Sequence, residues 1–260
     1  MLWLRAQPDQ AELVRDCYFD DPVLDAAERY RTSAEWGAVR QLVGPTGGRA
    51  LDVGAGRGIS SYALARDGWQ VTALEPDASS VVGAGAIRQL ATEADLPIEV
   101  VADWGEELPF SDASFDLVFG RQILHHARDL RALCSQMVRV LKPGGTFLAT
   151  REHVIFKDAD LAVFLAGHPL HRLYGGENAY RLREYKVAIE KAGVRLTHVL
   201  NPWASAVNLH PRTTGDIGRM IHARLPFVPE ALLTPGVLGR LGWLLRSPGT
   251  AYSFLGVRER

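Results

Sequence analysis

A short glycine-rich segment carries the clearest chemical signal in the sequence. Glycines occupy the alternate positions 54, 56 and 58, shortly after an apolar run and the acidic residue Asp52. Glycine allows a tight turn and lets a ligand approach the backbone, and the amino terminus of a following helix offers unpaired N–H groups to an anion. The segment therefore predicts a cofactor site at a strand-to-helix turn.

A carboxylate follows the next apolar run. Glu75 directly precedes Pro76, and a carboxylate there can accept hydrogen bonds from both hydroxyls of a ribose. Dinucleotide-binding proteins share the glycine-rich turn, but the third glycine of their pattern, Gly-x-Gly-x-x-Gly, would fall at Ile59. The sequence therefore disfavours a nicotinamide-dependent oxidoreductase.

The elements that position these residues follow from apolar runs that alternate with amphipathic stretches between residues 49 and 152. Such alternation is typical of βα units and of a parallel sheet covered on both faces. The pattern predicts an α/β fold with a doubly wound, mostly parallel, seven-stranded Rossmann-like sheet. Helices are predicted at 59–66, 80–91, 130–141 and 183–192, and strands at 50–53, 71–74, 98–102, 115–119, 146–150, 195–200 and 253–257.

The remaining segments are assigned around this core as parts of one domain, 1–260. Residues 1–45 are expected to form a helical cap, in which Thr32 and Glu35 have capping-box spacing, and residues 46–155 the cofactor-binding core. Two insertions, 156–182 after the fifth strand and 211–249 between the sixth and seventh, are expected to form a lid over the acceptor.

The segment 49–150 resembles the class I S-adenosylmethionine-dependent methyltransferases of the small-molecule type. Residues 52–58 carry this resemblance, together with Ala102-Asp103-Trp104 after the third strand, residues 121–126 after the fourth and residues 139–145 before the fifth. It implies S-adenosyl-L-methionine as the cofactor and S-adenosyl-L-homocysteine as its product. In that family the acidic residue before the glycines belongs to the methionine end of the site, and an acidic residue after the third strand meets the adenine. The cofactor-binding residues implied are Asp52, Gly54, Ala55, Gly56, Gly58, Glu75, Pro76, Ala102, Asp103, Trp104, Arg121 and Gln122.

Histidines follow the fourth and fifth strands, where the family lines its methyl-transfer site. His125 and His126 follow the fourth strand, and Glu152 and His153 leave the fifth. A histidine can act as a general base near neutral pH, and a carboxylate beside it can orient the imidazole. His153, His126 and Glu152 are therefore the predicted catalytic residues. The alternative is that the histidines of residues 125–126 only stabilise a turn.

Three further residues of types that bind metals lie close together in the first insertion. His168, His171 and Glu177 fall within ten residues, but their spacing matches no known metal motif. We therefore predict no metal site and interpret residues 168–180 as a lid that contacts the acceptor. An ordinary packed connection is the alternative.

Charge and cysteine content narrow the range of partners. The 29 basic and 30 acidic side chains leave a net charge near zero, which disfavours a nucleic-acid partner. Cys17 and Cys134 lack metal-motif spacing, and no apolar run is long enough to span a membrane, so a cytoplasmic location is expected. Segment 211–249 contains five arginines, two acidic residues and many leucines. This composition suits a segment that contacts a membrane surface or a lipid-linked acceptor. The alternative is a helix that faces the core.

Taken together, these features predict S-adenosylmethionine-dependent methyl transfer to a small-molecule acceptor. O-methylation is favoured, and the acceptor is expected to be saccharide-like, lipid-linked or a secondary metabolite. The alternative is a non-catalytic S-adenosylmethionine-binding protein with a regulatory or scaffolding role.

Overall fold

A computed structural model describes residues 1–44 and 47–260 of the chain. The predicted boundary between the cap and the core, at residues 45 and 46, lies outside the described residues. The main sheet has the strand order β3-β2-β1-β4-β5-β8-β7, and a short strand, β6, pairs with β5. The strands are β1 Arg49–Val53, β2 Gln70–Leu74, β3 Glu99–Val101, β4 Phe115–Arg121, β5 Leu141–Ile155, β6 Tyr180–Arg181, β7 Val194–Leu200 and β8 Thr250–Arg258.

The predicted doubly wound fold is confirmed. Strands β1 to β6 pair in parallel, whereas β8 runs antiparallel to both β5 and β7. The seven strands of the main sheet correspond to the seven predicted ones. Strand β6 was not predicted, because its two residues lie in the first insertion and are too few to show a periodic pattern.

Helices cover both faces of the sheet. One face packs against α7 and α10, and the other against the N-terminal helices α3 and α4 together with α5. The helices are α1 Leu2–Arg5, α2 Ala11–Asp16, α3 Val23–Arg31, α4 Ala34–Val43, α5 Ile59–Arg66, α6 Ala84–Glu93, α7 Leu130–Val140, α8 Ala159–Gly167, α9 Pro169–Tyr174, α10 Leu182–Lys191, α11 Thr214–Arg224 and α12 Pro235–Leu241. Short 3-10 turns lie at Pro8–Gln10, Leu124–His126, Ala206–Asn208, Glu230–Leu232 and Gly242–Leu244.

The start of α4 differs from the prediction. Ser33, not Thr32, caps the helix, because its hydroxyl accepts a hydrogen bond from the Trp36 amide at 3.1 Å. The Thr32 hydroxyl instead donates to the Glu28 carbonyl. Glu35 makes no capping bond and turns inward to pair with Arg121. The predicted capping box is therefore wrong, and Glu35 belongs to the interior.

The start of α6 also differs, since the helix predicted from residue 80 begins at Ala84. The Asp77 carboxylate accepts from the Ser79 amide, and the Ser79 hydroxyl accepts from the amides of Val81 and Val82. These side-chain bonds hold a separate turn that competes with helix formation.

The second insertion forms a small hydrophobic cluster of its own. It comprises Ile217, Leu233 and Leu238 together with Leu209, which lies just before the insertion, and it is separate from the two clusters on the faces of the sheet. Within the described ranges, no helix combines the length and the apolar character that a membrane crossing requires.

Candidate active site

A cavity of about 700 Å³ lies at the carboxyl ends of β1, β2, β4 and β5. This is the edge of the sheet where doubly wound folds bind ligands, and the volume is within the roughly 300–1,000 Å³ typical of small-molecule sites. Residues before α3 cover it on one side, and residues 168–170 with Glu177 cover it on another.

The glycine-rich loop forms the floor of the cavity between β1 and α5. Gly54 has a positive φ of 67°, and a Cβ there would come within 2.3 Å of the Ile123 side chain. Gly56 also has a positive φ, but a Cβ there would meet open space. The loop thus packs tightly against the β4 exit at Gly54 and leaves its backbone accessible to a ligand at Gly56.

Glu75 stands at the end of β2 and faces the cavity. One carboxylate oxygen accepts from the Gly56 amide at 2.8 Å and the other from the Asp77 amide at 3.0 Å. Burial raises the pKa of Glu75 above its usual value, although both amide bonds oppose the shift. The carboxylate is therefore held in place by the backbone, and its remaining lone pairs are available to ribose hydroxyls.

Asp52 lies beneath the glycine-rich loop. Its carboxylate accepts hydrogen bonds from the hydroxyls of Ser60 and Ser61 at 2.7 and 2.6 Å, so it anchors the first turn of α5. Burial raises the pKa of Asp52 to about 6. The side chain is fully buried and supports the loop from below.

Most of the residues predicted to bind the cofactor line the cavity. Trp104, which is half exposed, does so with Arg128 stacked on its ring at 4.4 Å. The Asp103 carboxylate accepts a hydrogen bond from the Trp104 amide at 2.8 Å. The cavity wall includes Gly54, Ala55, Gly56, Glu75, Pro76, Trp104, Arg121 and Gln122, and it does not include Asp52, Gly58, Ala102 or Asp103.

A buried charge cluster that the sequence did not reveal lies behind the ends of β4 and β5. Glu35 binds Arg121 through two hydrogen bonds of 2.7 and 3.2 Å and lies 3.9 Å from Arg151. Burial would raise the pKa of Glu35, but the two guanidinium groups hold it below its usual value. Gln122 and Arg151 both adopt a positive φ, which is strained for these residue types. The cluster holds the backbone in place where β4 and β5 reach the cavity.

Arg57 connects the glycine-rich loop to the N-terminal cap. Its guanidinium group donates to the carbonyls of Tyr18 and Asp20 at 2.9 and 2.7 Å and also pairs with the Asp21 carboxylate. This role of Arg57 could not be predicted, because its partners lie 36 to 39 positions away in the chain. The cap is thereby tied to the loop that it covers.

A histidine cluster occupies the part of the cavity beyond the β4 exit. Glu152, fully buried on β5, accepts from His125 Nδ1 at 2.7 Å and from the amides of Ile123 and His125 at 3.1 Å. Burial opposes a charge on His125, but its bonds with Glu152 and Glu177 raise its pKa to about 9. Glu152 therefore organises the turn and orients the His125 ring.

The Nε2 atoms of two neighbouring histidines, His126 and His153, lie in the same region. His126 Nδ1 donates to the Gly176 carbonyl at 3.0 Å, and His153 Nδ1 donates to the Gly249 carbonyl at 2.9 Å. Burial lowers the pKa of His126, and burial with the nearby His125 lowers the pKa of His153 to about 3. Both rings are therefore neutral near pH 7, with a free lone pair on Nε2.

Glu177, from the first insertion, faces these rings. Its carboxylate lies 3.5 Å from His125 Nε2, 3.9 Å from His126 Nε2 and 3.9 Å from His168 Nδ1. Burial would raise the pKa of Glu177, but His125 and the other histidines lower it to about 2. One carboxylate is thus surrounded by imidazoles.

The predicted catalytic residues lie at different distances from the cavity. His126 and His153 line the cavity, whereas Glu152 lies behind His125. His125, His168 and Glu177 also line it, and His171 does not. From the second insertion only Pro211 reaches the wall. The lid expected from residues 211–249 is therefore not seen, because that segment packs around its own cluster.

Known proteins similar to this chain include methyltransferases, in agreement with the site described above. The family described as "Methyltransferase domain" matches residues 51–149. Proteins named ubiquinone biosynthesis O-methyltransferase are similar to the chain: that of Xylella fastidiosa (strain 9a5c) is 31% identical over 72% of this chain and 77% of its own length. That of Rhizobium etli (strain CIAT 652) is 27% identical over 73% of this chain and 79% of its own length.

Solved structures share the fold. Geranyl diphosphate C-methyltransferase from Streptomyces coelicolor A3(2), in complex with Mg²⁺, geranyl diphosphate and S-adenosyl-L-homocysteine, superposes with a TM-score of 0.61 at 14% identity, covering 92% of this chain and 85% of that one. A putative sarcosine dimethylglycine methyltransferase from Galdieria sulphuraria gives 0.59 at 18% identity, covering 91% and 86%. The chain therefore has the same overall fold as these two proteins.

Proposed function

The chain belongs to the class I S-adenosylmethionine-dependent methyltransferases, and on that premise we propose that it methylates a hydroxyl oxygen of a small acceptor bound beside the histidine cluster. One observation carries this proposal. A single cavity joins the glycine-rich loop and Glu75 to imidazoles with free Nε2 atoms. The names of the similar O-methyltransferases support the choice of oxygen.

The reaction itself needs little covalent help from the protein. The acceptor oxygen attacks the methyl carbon of the sulfonium, the carbon–sulfur bond breaks, and its electron pair stays on the sulfur of S-adenosyl-L-homocysteine. The acceptor hydroxyl gives up its proton to a base. The protein therefore contributes alignment of the two reactants and a proton acceptor.

The histidines supply that base. A hydroxyl is a weak nucleophile until its proton is removed. His126 and His153 are both neutral near pH 7 and line the cavity. Glu152 acts through His125 rather than on the acceptor, so we assign it a positioning role. The proton acceptor that we favour is His126, because its ring is the more exposed of the two.

The cavity wall indicates an acceptor with an apolar body. Leu13, Phe19, Leu133 and Leu170 line it together with Ile123. Such a wall suits a secondary metabolite or a lipid-linked compound better than a bare saccharide, which would need more hydrogen-bonding groups. The relatives named for ubiquinone biosynthesis are in keeping with this class of acceptor.

The His126→Ala variant tests the base. We expect turnover to fall by roughly 10²–10⁴-fold, the usual contribution of a general base, while S-adenosyl-L-homocysteine still binds with its wild-type affinity. The measurement is transfer of the labelled methyl group from S-adenosylmethionine to a panel of phenolic, saccharide and polyprenylated hydroxyl compounds. The exposed His198 provides the matched control, His198→Ala. Turnover equal to that of the control would remove His126 from the mechanism.

We further propose that residues 211–249 contact an anionic membrane surface. Leu225, Phe227, Leu232, Trp243 and Leu244 are exposed there, and the segment carries a net charge of +3 from five arginines and two acids. Apolar side chains beside arginines are the pattern of an interfacial anchor. This contact would bring the cavity close to a lipid-linked acceptor.

Charge reversal tests the membrane contact. The double variant Arg240→Glu/Arg246→Glu is expected to bind vesicles of mixed phosphatidylglycerol and phosphatidylcholine at least tenfold more weakly than the wild type, since each arginine near such a surface contributes about 1 kcal/mol. Cosedimentation measures the bound fraction. The exposed Arg195 on β7 gives the control, Arg195→Glu. Equal sedimentation of the double variant, the control and the wild type would contradict the proposal.

The free cysteines support a reducing compartment. Cys17 and Cys134 form no disulfide in the described part of the chain, and disulfides are rare in the cytosol. We therefore propose a cytoplasmic location and a single domain over residues 1–260, with the second insertion as a satellite cluster.

A further inference from the structure

We propose that His125, His153 and Glu177 form a binding site for one divalent transition-metal ion. One potential ligand atom from each residue lies within 4.8 Å of the others. One of these pairs, His125 Nε2 and Glu177 Oε2, is 3.5 Å apart. Ligands that share an ion at about 2.0–2.2 Å lie roughly 3–3.5 Å from each other, so the side chains need to move inward by about 1 Å.

The hydrogen bonds around the two histidines fix the tautomer that a metal requires. His125 donates from Nδ1 to the Glu152 carboxylate, and His153 donates from Nδ1 to the Gly249 carbonyl. Metal-binding histidines almost always donate their other ring N–H to a carboxylate or a carbonyl in this way. Both Nε2 atoms are thereby directed into the cavity beside Glu177, where a metal ion would displace the proton that His125 Nε2 carries in its ion pair with Glu177.

Three buried atoms at this point make no hydrogen bond with the residues that the structure describes, although two of them face each other at 3.5 Å as an ion pair. They are the Nε2 atoms of His125 and His153 and the Oε2 atom of Glu177. Buried polar atoms are nearly always paired in folded proteins, because an unpaired one loses its hydrogen bonds to water. A single cation would satisfy all three atoms.

The ligand types indicate the class of ion. Two imidazoles and one carboxylate suit Zn²⁺, Co²⁺, Mn²⁺ or Fe²⁺, whereas Mg²⁺ and Ca²⁺ prefer sets made only of oxygen. Three protein ligands leave coordination positions open, as in catalytic sites. His168, with Nδ1 at 3.9 Å from Glu177, stands at the edge of this set.

The site would also define the acceptor, and this step rests on the proposed function. A hydroxyl bound to a divalent cation loses its proton more easily, because the cation stabilises the oxyanion. His126, which is not one of the three ligands, stays free to take that proton. The acceptor class would then be a compound with a hydroxyl, or two adjacent hydroxyls, able to coordinate the ion. No metal site was predicted from the sequence, because the ligands come from three separate segments and follow no motif.

Titration with Co²⁺ tests the site, because the visible absorption of Co²⁺ reports its coordination. Tag-free protein, stripped with a chelator, is expected to bind one equivalent with a visible spectrum of protein-bound Co²⁺. The Glu177→Gln and His153→Ala variants are expected to bind at least 100-fold more weakly, and the control His198→Ala like the wild type. Circular dichroism establishes that each variant is folded.

A third variant keeps the experiment decisive if either of the first two fails to fold. Glu152→Gln keeps the ligands and weakens the hold on the His125 ring, so Co²⁺ affinity should fall by about 10–100-fold. The absence of a one-equivalent spectrum, or unchanged binding in Glu177→Gln and His153→Ala, would overturn the metal site. Calorimetry with S-adenosyl-L-homocysteine on the same samples separates the two proposals. A protein that binds S-adenosyl-L-homocysteine but not Co²⁺ overturns only the metal site. A protein that binds Co²⁺ but not S-adenosyl-L-homocysteine overturns only the proposed function.

Discussion

The Glu75→Ala variant is expected to lose detectable binding of S-adenosylmethionine and S-adenosyl-L-homocysteine. A hydrogen bond to a charged group contributes about 1.5–3 kcal/mol, so the loss of two ribose contacts would weaken binding by roughly 100-fold or more. The substitution also removes the partner of the Gly56 amide in the glycine-rich loop. Isothermal titration calorimetry measures the dissociation constants.

Glu107→Ala serves as the control for this experiment. Glu107 is an exposed carboxylate close to the cavity that does not line its wall, so its removal should leave both affinities within about twofold of the wild type. Affinity of Glu75→Ala equal to that of Glu107→Ala would show that Glu75 does not hold the ribose.

The Glu35→Ala variant is expected to lose about 3–5 kcal/mol of the free energy of unfolding. Glu35 is the carboxylate that compensates both Arg121 and Arg151, and its side chain is almost fully buried. Its removal leaves guanidinium groups in the interior without a counter-charge, which costs far more than the loss of a surface ion pair. Urea denaturation followed by circular dichroism measures the change.

An exposed ion pair provides the comparison. Asp112 pairs with Arg139 at 2.7 Å on the surface, so Asp112→Ala should change the free energy of unfolding by less than about 1 kcal/mol. A Glu35→Ala variant as stable as Asp112→Ala would mean that the two arginines are solvated or paired in another way.

The sequence predicted the sheet and the cofactor loop because both depend on local patterns. Short continuous apolar runs located β1, β2 and β4, and α5 begins and ends at the predicted residues. The glycines could be assigned because their spacing reflects a backbone that needs positive φ, as Gly54 and Gly56 show.

The charge clusters could not be predicted, because they depend on contacts between distant segments. Glu35 had the spacing of a capping residue, but its partner Arg121 lies 86 positions further along the chain. His125 and Glu177 come together only through the path of the first insertion. A lone histidine or glutamate in a sequence carries no sign of such a partner. The one local signal was the series of histidines after the fourth and fifth strands, which led to His126 and His153 but not to Glu177.

The measurement that tests the central claim most directly is calorimetric titration of the wild-type protein with S-adenosyl-L-homocysteine and, separately, with NAD. We expect one equivalent of S-adenosyl-L-homocysteine to bind with micromolar affinity, and no heat of binding with NAD, because Ile59 stands where the dinucleotide pattern requires glycine. Failure to bind S-adenosyl-L-homocysteine, or equal affinity for NAD, would contradict the assignment of the cavity as the site of methyl transfer.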